Sequence, residues 1–235
     1  VPDTTTRISF TDNKALNVTG VQFIINPYDE IALTRALELK ETIGGTVTVI
    51  NVGTSATEPT VRKALAIGAD DAIRINAEPT DAFFVASLIA ETAKKNQYDI
   101  ILTGRESIDY NSAQVATMIA ELLDLPCITV ATKLDVSGSE ATLEREVDGG
   151  KEVLSVTLPF VASAQKGMAE PRIPNMRGIM SARTKPLLVE EPSATKIFTN
   201  VAGYELPPAK QACKLISKDN VAELVNLLHT EAKAI

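Results

Sequence analysis

The residues able to do chemistry in this sequence are few. His229 is the single histidine and falls in a predicted C-terminal helix, so a Ser-His-Asp or Cys-His site has nothing to build on. Cys127 and Cys213 stand too far apart for a Cys-x-x-Cys metal or redox motif, and neither a Gly-x-Gly-x-x-Gly nor a Walker loop occurs. No catalytic residue and no metal ligand is assigned. What remains is the polar run Gly104-Arg105-Glu106-Ser107-Ile108-Asp109-Tyr110-Asn111-Ser112-Ala113-Gln114-Val115. It follows a short apolar strand pattern at 98–103 and leads into residues 114–123, whose apolar positions recur at helical spacing. A strand, a polar loop and a helix start can present free backbone N–H groups to an anion. Asn111 and Ser112 are good N-cap types, and their side chains can also donate to a phosphate or ribose. An ordinary strand-to-helix connection would read the same way, and the surrounding elements have to separate the two.

Those elements alternate. Pro27 biases Asn26 away from the helical region, Asp29 and Glu30 suit a first turn, and a helix over 29–41 stops at Gly44-Gly45. A β-branched strand at 46–51 is followed by a helix at 58–67 closed by Gly68, and a strand at 72–75 by a helix at 81–96 capped by Thr80. Then come the 98–103 strand, the polar run, its helix, and a strand at 126–130. This is the pattern of a doubly wound parallel α/β sheet with right-handed crossovers. Ligands of such sheets sit beyond the carboxyl ends of the strands, near a topological switch point. The segments after Asn51 and Thr103 and the helix start at Asn26–Asp29 all point at that rim.

After residue 131 the period changes to alternation, with Asp148-Gly149-Gly150 as a turn, predicting an antiparallel meander over 131–164. Residues 165–176 lack a period and hold Pro171 and Pro174, predicting an exposed loop; Met168 there could anchor a partner or tuck into its own domain. A short cationic helix is predicted at 177–183. The proline-bearing stretch from Lys185 to Gln211 reads as an extended arm, closed by a helix at 218–232. The domain reading is therefore 1–184 for the α/β unit and 185–235 for an arm and helix that wrap another subunit.

With 235 residues and 45% hydrophobic content the chain can bury a real core. A net charge of −7 without a basic cluster makes nucleic acid and anionic membrane surfaces poor partners. No apolar run reaches the roughly 20 residues that span a bilayer, so no membrane insertion is expected; the compartment expected is the cytoplasm, or else an organelle matrix.

Five separated motifs resemble the β-subunit of electron transfer flavoprotein. They are Asn26-Pro27-Tyr28-Asp29-Glu30-Ile31-Ala32; Arg62-Lys63-Ala64-Leu65-Ala66-Ile67-Gly68-Ala69-Asp70; Gly104 to Gln114; Glu144-Arg145-Glu146-Val147-Asp148-Gly149-Gly150; and Met168 to Arg172 with Ile179-Met180 following. Order and spacing agree from residue 1 to about 190, and beyond that only the general character matches. The resemblance implies a heterodimer with an α-subunit that carries the redox-active FAD, and in the β-subunit a Rossmann-like, adenine-nucleotide-binding fold with a structural AMP. It places the AMP site on Asn26, Pro27, Tyr28, Asp29, Val52 and the run from Gly104 to Val115, with Tyr28 also near the flavin of the α-subunit. It makes Met168, Ala169, Glu170, Pro171 and Arg172 a loop that docks acyl-CoA dehydrogenases, a methionine standing where a leucine is usual. A quinone oxidoreductase downstream completes the implied partners. The implied role is an electron carrier of fatty acid β-oxidation type, not an independent catalyst.

Two departures bear on this. Family members carry an apolar strand ahead of the residues matching Val1-Pro2-Asp3, and this sequence lacks it, so an incomplete N-terminus is expected. Ser112-Ala113-Gln114-Val115 is closer to the Thr-Ala-Gln-Val of electron-bifurcating members, which bind a second FAD in place of AMP and take electrons from NADH, yet Ala116-Thr117 stands where those members have Gly-Pro. A stand-alone adenine-nucleotide sensor is a third reading that leaves the arm and terminal helix without a role.

Overall fold

The computed structural model describes residues 1–12, 15–210 and 212–235. A small antiparallel pair, β1 (Phe10–Thr11) and β2 (Ala15–Leu16), precedes α1 (Pro27–Ile43). Asn26 is extended, as a residue before proline must be, Asp29 and Glu30 occupy the first turn, and Gly44 ends the helix at φ 85°. The alternation continues through β3 (Thr48–Val52), α2 (Glu58–Ile67), β4 (Asp71–Ile75), α3 (Ala82–Asn96), β5 (Ile100–Gly104) and α4 (Val115–Leu123). The second half comprises β6 (Cys127–Ser137), β7 (Glu140–Val147), β8 (Gly150–Thr157), β9 (Phe160–Ala164), α5 (Met176–Ala182), β10 (Leu187–Glu190) and α6 (Val221–Thr230).

The strands form two main sheets. One is parallel, in the order β10-β4-β3; the other is mixed, in the order β5-β9-β6-β7-β8. β9 returns from the meander to lie between β5 and β6, parallel to both, and every one of its residues is buried. Full burial suits the apolar run Phe160-Val161-Ala162, which has helices on both faces. β6 changes partner along its length, parallel to β9 at first and antiparallel to β7 afterwards. The change occurs at a bulge between Ile128 and Ala131, where Val130 takes φ 58° and its N–H donates to Ser163 Oγ at 2.8 Å.

α1 and α3 join the two sheets. α1 gives Leu33 and Leu37 to the core with α2, and Ile31, Ala32 and Leu39 to the core with β6, β7 and β9. On the opposite face α3 gives Leu88 to a core with Val52 and Ile75, and Ala86 to one with Ile119 and Val161. The single sheet expected from the alternation is thus divided. β3 and β5 are both edge strands, and both line the space between the sheets. Among the described residues neither has a strand partner on that side.

Three local expectations differ. The extension from Lys185 begins as sheet: Leu187–Glu190 pairs with β4 in parallel register, with Pro186 O accepting from Ala72 N–H at 3.1 Å. Pro186 and Pro192 bracket a strand at the sheet edge, where a missing N–H is tolerated. The end of the arm at Gln211 lies outside the described residues. Asp81, not Thr80, caps α3, accepting from Phe84 N–H at 2.7 Å. α4 starts at Val115, because Asn111 and Ala113 take φ values of 52° and 53° that no right-handed helix accommodates.

Asp70 secures the entry to β3. Its carboxylate accepts from Val47 N–H at 2.8 Å and pairs with Lys40 of α1. Partial burial works against the charge, but Lys40 and the Val47 amide outweigh it and hold the carboxyl below its ordinary 3.8. A depressed acid stabilises the fold fully above the unfolded value and less as the pH falls through the folded one. Asp70→Ala should therefore cost about 1–2 kcal/mol at neutral pH. In urea titrations at neutral pH and at pH below 3.8 the difference from the parent should shrink at the lower pH; an undiminished difference would rule out the ionised pairing as its source.

Candidate functional site

The site is built on one buried amide. Asn26 is 5% exposed, and its side chain uses both ends. Nδ2 donates to Glu106 O at 2.8 Å and to Asp29 Oδ2 at 3.0 Å, while Oδ1 accepts from Ile108 N–H at 3.2 Å. Asp29 Oδ1 in turn accepts from Gly104 N–H at 2.6 Å. Two residues at the start of α1 therefore hold the chain that leaves β5. The approach is so close that a Cβ on Gly104 would lie 2.7 Å from Tyr28 Cβ and 2.9 Å from Asp29 N, so only glycine fits. Arg105 folds back over Tyr28, its guanidinium carbon 5.7 Å from the ring centroid, and pairs with Glu106 at 3.3 Å.

Past Ile108 the loop turns outward. Asn111 N–H closes a turn on Ser107 O at 2.8 Å, and residues 109–114 are exposed. Gln114 occupies the N-cap position of α4 without any side-chain cap, so the first N–H groups of that helix carry no side-chain acceptor. Ala113, in the left-handed region just ahead, holds a conformation that costs an L-residue about 1 kcal/mol. Strain next to uncapped donors is the arrangement expected of a loop shaped for a ligand.

Asn26, Asp29, Val52, Ser107, Asp109, Tyr110, Ser112, Gln114 and Val115 line one cleft of about 1220 Å³ between the two sheets. The other residues expected at the site, Pro27, Tyr28, Gly104, Arg105, Glu106, Ile108, Asn111 and Ala113, do not line it; they shape the clamp and loop behind it. Asp29 is exposed to the cleft, and the protein atoms crowded around that cleft disfavour its charge and push its carboxyl above its ordinary value, against the bonds from Gly104 and Asn26. Further segments line the cleft that sequence reasoning did not place there, among them Gly44 to Asn51 and Asn96 to Leu102 along the facing edges of the two sheets, Pro79 to Ala82 at the start of α3, and Thr199 to Val201. Thr80-Asp81 carried an N-cap signal, whereas nothing in the composition of 199–201 marks a wall.

The expected docking loop divides. Met168 is 6% exposed and packs in the core with Ile31, Leu39 and Phe160, and Arg172 makes a two-pronged bond to Glu41 at 2.6 and 2.8 Å. Glu170 and Pro171 face outward, Ala169 is half-buried, and Ile173 beside them is 92% exposed. Among the described residues no cluster of three or more His, Cys, Asp or Glu could hold a metal ion, and no helix is long and apolar enough to cross a membrane.

Residues 15–195 match the family model described as electron transfer flavoprotein domain. The chain belongs to that family. It is 43% identical over 232 residues to the electron transfer flavoprotein subunit beta of Bacillus subtilis (strain 168), covering 92% of this chain and 90% of the relative. The like-named proteins of Syntrophomonas wolfei and Homo sapiens are 39% identical over 212 residues and 33% over 225, covering 89% and 91% of this chain and 84% and 88% of theirs. The electron transfer flavoprotein match thus takes in both sheets, the clamp at Asn26 and the loop before α4.

Asn26→Ala should orphan the Ile108 N–H and the Glu106 carbonyl in a half-buried setting, costing about 3 kcal/mol. Urea unfolding measures the loss, and amide exchange at residues 104–108 should rise more than in β9. A uniform change across the molecule would show that Asn26 does not act on that loop.

Proposed function

We propose that this chain is the β-subunit of a heterodimeric electron carrier and that its cleft holds AMP as a structural nucleotide. The observation that carries the reading is the uncapped start of α4, opening beside Ser112 and Gln114 into the cleft. Backbone N–H groups at a helix start suit a phosphate, and the hydroxyls of Ser107 and Ser112 suit a ribose or phosphate oxygen. FAD, bound mainly by the α-subunit, supplies the electron chemistry. Tyr28, half-buried under Arg105, is the aromatic offered toward that flavin. No side chain of this chain need act as acid, base or nucleophile. Its work is to orient the flavin, tune its surroundings and select partners.

The dehydrogenase surface in this reading is the loop 168–172, with acyl-CoA dehydrogenases as donors and a quinone oxidoreductase as acceptor. Met168 and Arg172 pin the loop to α1 and the core, and Glu170, Pro171 and the neighbouring Ile173 meet the partner. Beyond Tyr204, the end of the arm and α6 wrap the α-subunit: no residue of α6 is buried, and Val221, Leu224 and Val225 are exposed along it.

Ser112-Ala113-Gln114-Val115 favours a second reading, in which a second FAD takes the place of AMP in the cleft that Ser112, Gln114 and Val115 line. Denaturing the purified heterodimer and quantifying the released nucleotides separates the two. One AMP and one FAD per heterodimer is the expected result. Two FAD without AMP would establish the bifurcating type, and neither nucleotide would sink the cleft as a nucleotide site.

The loop makes its own prediction. Ile173→Ser should slow electron transfer from an acyl-CoA dehydrogenase several-fold while leaving FAD content unchanged; equal rates would remove this face from docking. Met168→Ala should instead destabilise the chain by about 2–4 kcal/mol, the cost of emptying a core position.

A further inference from the structure

Beyond β10 the chain runs back along α3. Ser193 Oγ donates to Glu91, and the ring of Phe198 meets that of Phe83 edge-on at 4.8 Å and 77°. The N–H groups of Phe198 and Thr199 both donate to Asp81 Oδ2, at 2.6 and 2.8 Å. Five residues on, Tyr204 stacks on Phe10 with 4.8 Å between centroids and 11° between planes, and lies near Tyr110, whose hydroxyl it helps to keep protonated. Between these two attachments, Thr199, Asn200 and Val201 line the cleft that Asp109, Tyr110 and Ser112 line as well.

We propose that residues 198–204 form a clasp across the mouth of the cleft, with Asp81 and Tyr204 as its two catches, and that ligand exchange requires the clasp to open. The identity of the ligand rests on the nucleotide reading above; the clasp itself does not.

Three features fit a segment that closes and reopens. Asp81 lines the cleft itself, and Tyr204 lies near Tyr110, which does. The clasp is lightly held, since Phe198 remains 63% exposed and Val201 50%, so local opening exposes little further apolar surface. The carboxylate at Asp81 is used on both oxygens, Oδ1 capping α3 through Phe84 N–H and Oδ2 holding the clasp. An amide has one acceptor oxygen and can serve only one of those tasks.

That chemistry supplies the test. Asp81→Asn retains an N-cap acceptor for α3 but puts an NH2 group where the Phe198 and Thr199 amides need an acceptor. Tyr204→Ala removes the other catch without touching α3. In the purified heterodimer, loaded with radiolabelled AMP, each variant should release AMP faster in a chase with unlabelled AMP, about tenfold for Asp81→Asn, which loses a charge-assisted catch, and several-fold for Tyr204→Ala. Amide exchange should show Phe198 and Thr199 protected in the parent and unprotected in Asp81→Asn, with protection across residues 107–115 falling in step. Unprotected Phe198 and Thr199 amides in the parent heterodimer would overturn the clasp. So would faster exchange at those amides with AMP release unchanged. Should the parent retain no AMP at all, the nucleotide reading fails, while the exchange pattern at 198–199 and 107–115 still supports or refutes the clasp.

Discussion

The side-chain amide of Asn26 is the constraint from which the site follows. A buried asparagine must satisfy a carbonyl oxygen and two N–H donors, and here the partners lie in one short segment, Glu106 and Ile108, together with Asp29. Because Pro27 holds Asn26 extended and starts α1, the amide occupies a fixed place above β5. Asp29, one turn into the same helix, takes Gly104 N–H, and the chain from Gly104 to Ile108 is then held by the start of α1. The loop is free to be unusual only beyond that point. Positive φ at Asn111 and Ala113 and the bare start of α4 come where the clamp has ended.

The electrostatics of the cleft are opposed in a useful way. α4 presents the positive end of its dipole, and Asp29 and Asp109 present carboxylates on the same space. Asp29 sits among protein atoms that disfavour its charge, and Asp109 adds to that effect; the hydrogen bonds from Gly104 and Asn26 only partly offset it. An anionic ligand is thereby directed to the helix end and away from α1. A neutral group with donors, such as a base or ribose hydroxyl, suits the Asp29 side. The cleft thus has a polarity of its own, set before any ligand arrives.

Much of this architecture was legible because the local signals agree with one another. Gly44 and Gly68 terminate helices, β-branched residues fill β3, and the alternating run after residue 131 does form an antiparallel meander. The places that were not legible share a cause: each is decided by a partner remote in the chain. Asn26 reads locally as a residue before proline, and only a loop some eighty positions away makes it a buried clamp. Leu187–Glu190 reads as part of an arm between prolines, and only the open edge of β4 makes it a strand. Thr80 and Asp81 are both good caps, and Asp81 takes the role at a position where it also binds backbone from residues 198 and 199. Met168 reads equally as an anchor or as core; its place against Ile31 and Phe160 is a matter of how the loop crosses α1.

That last placement bears on the docking role proposed for the loop. A flexible methionine held out to solvent would lose rotamer freedom on meeting a partner. Packed inward, Met168 has already lost it on folding, and the bidentate bond of Arg172 to Glu41 ties the other end of the loop to α1. The stretch between them is presented by its two ends instead of by its own contacts. α1 also carries Asn26 and Asp29 at its other end, so one helix positions both the cleft loop and the loop that faces outward. In an electron carrier the distance between flavin and partner must be held while partners come and go. In the proposed carrier, α1 ties Tyr28, the residue offered to that flavin, to the loop proposed for docking.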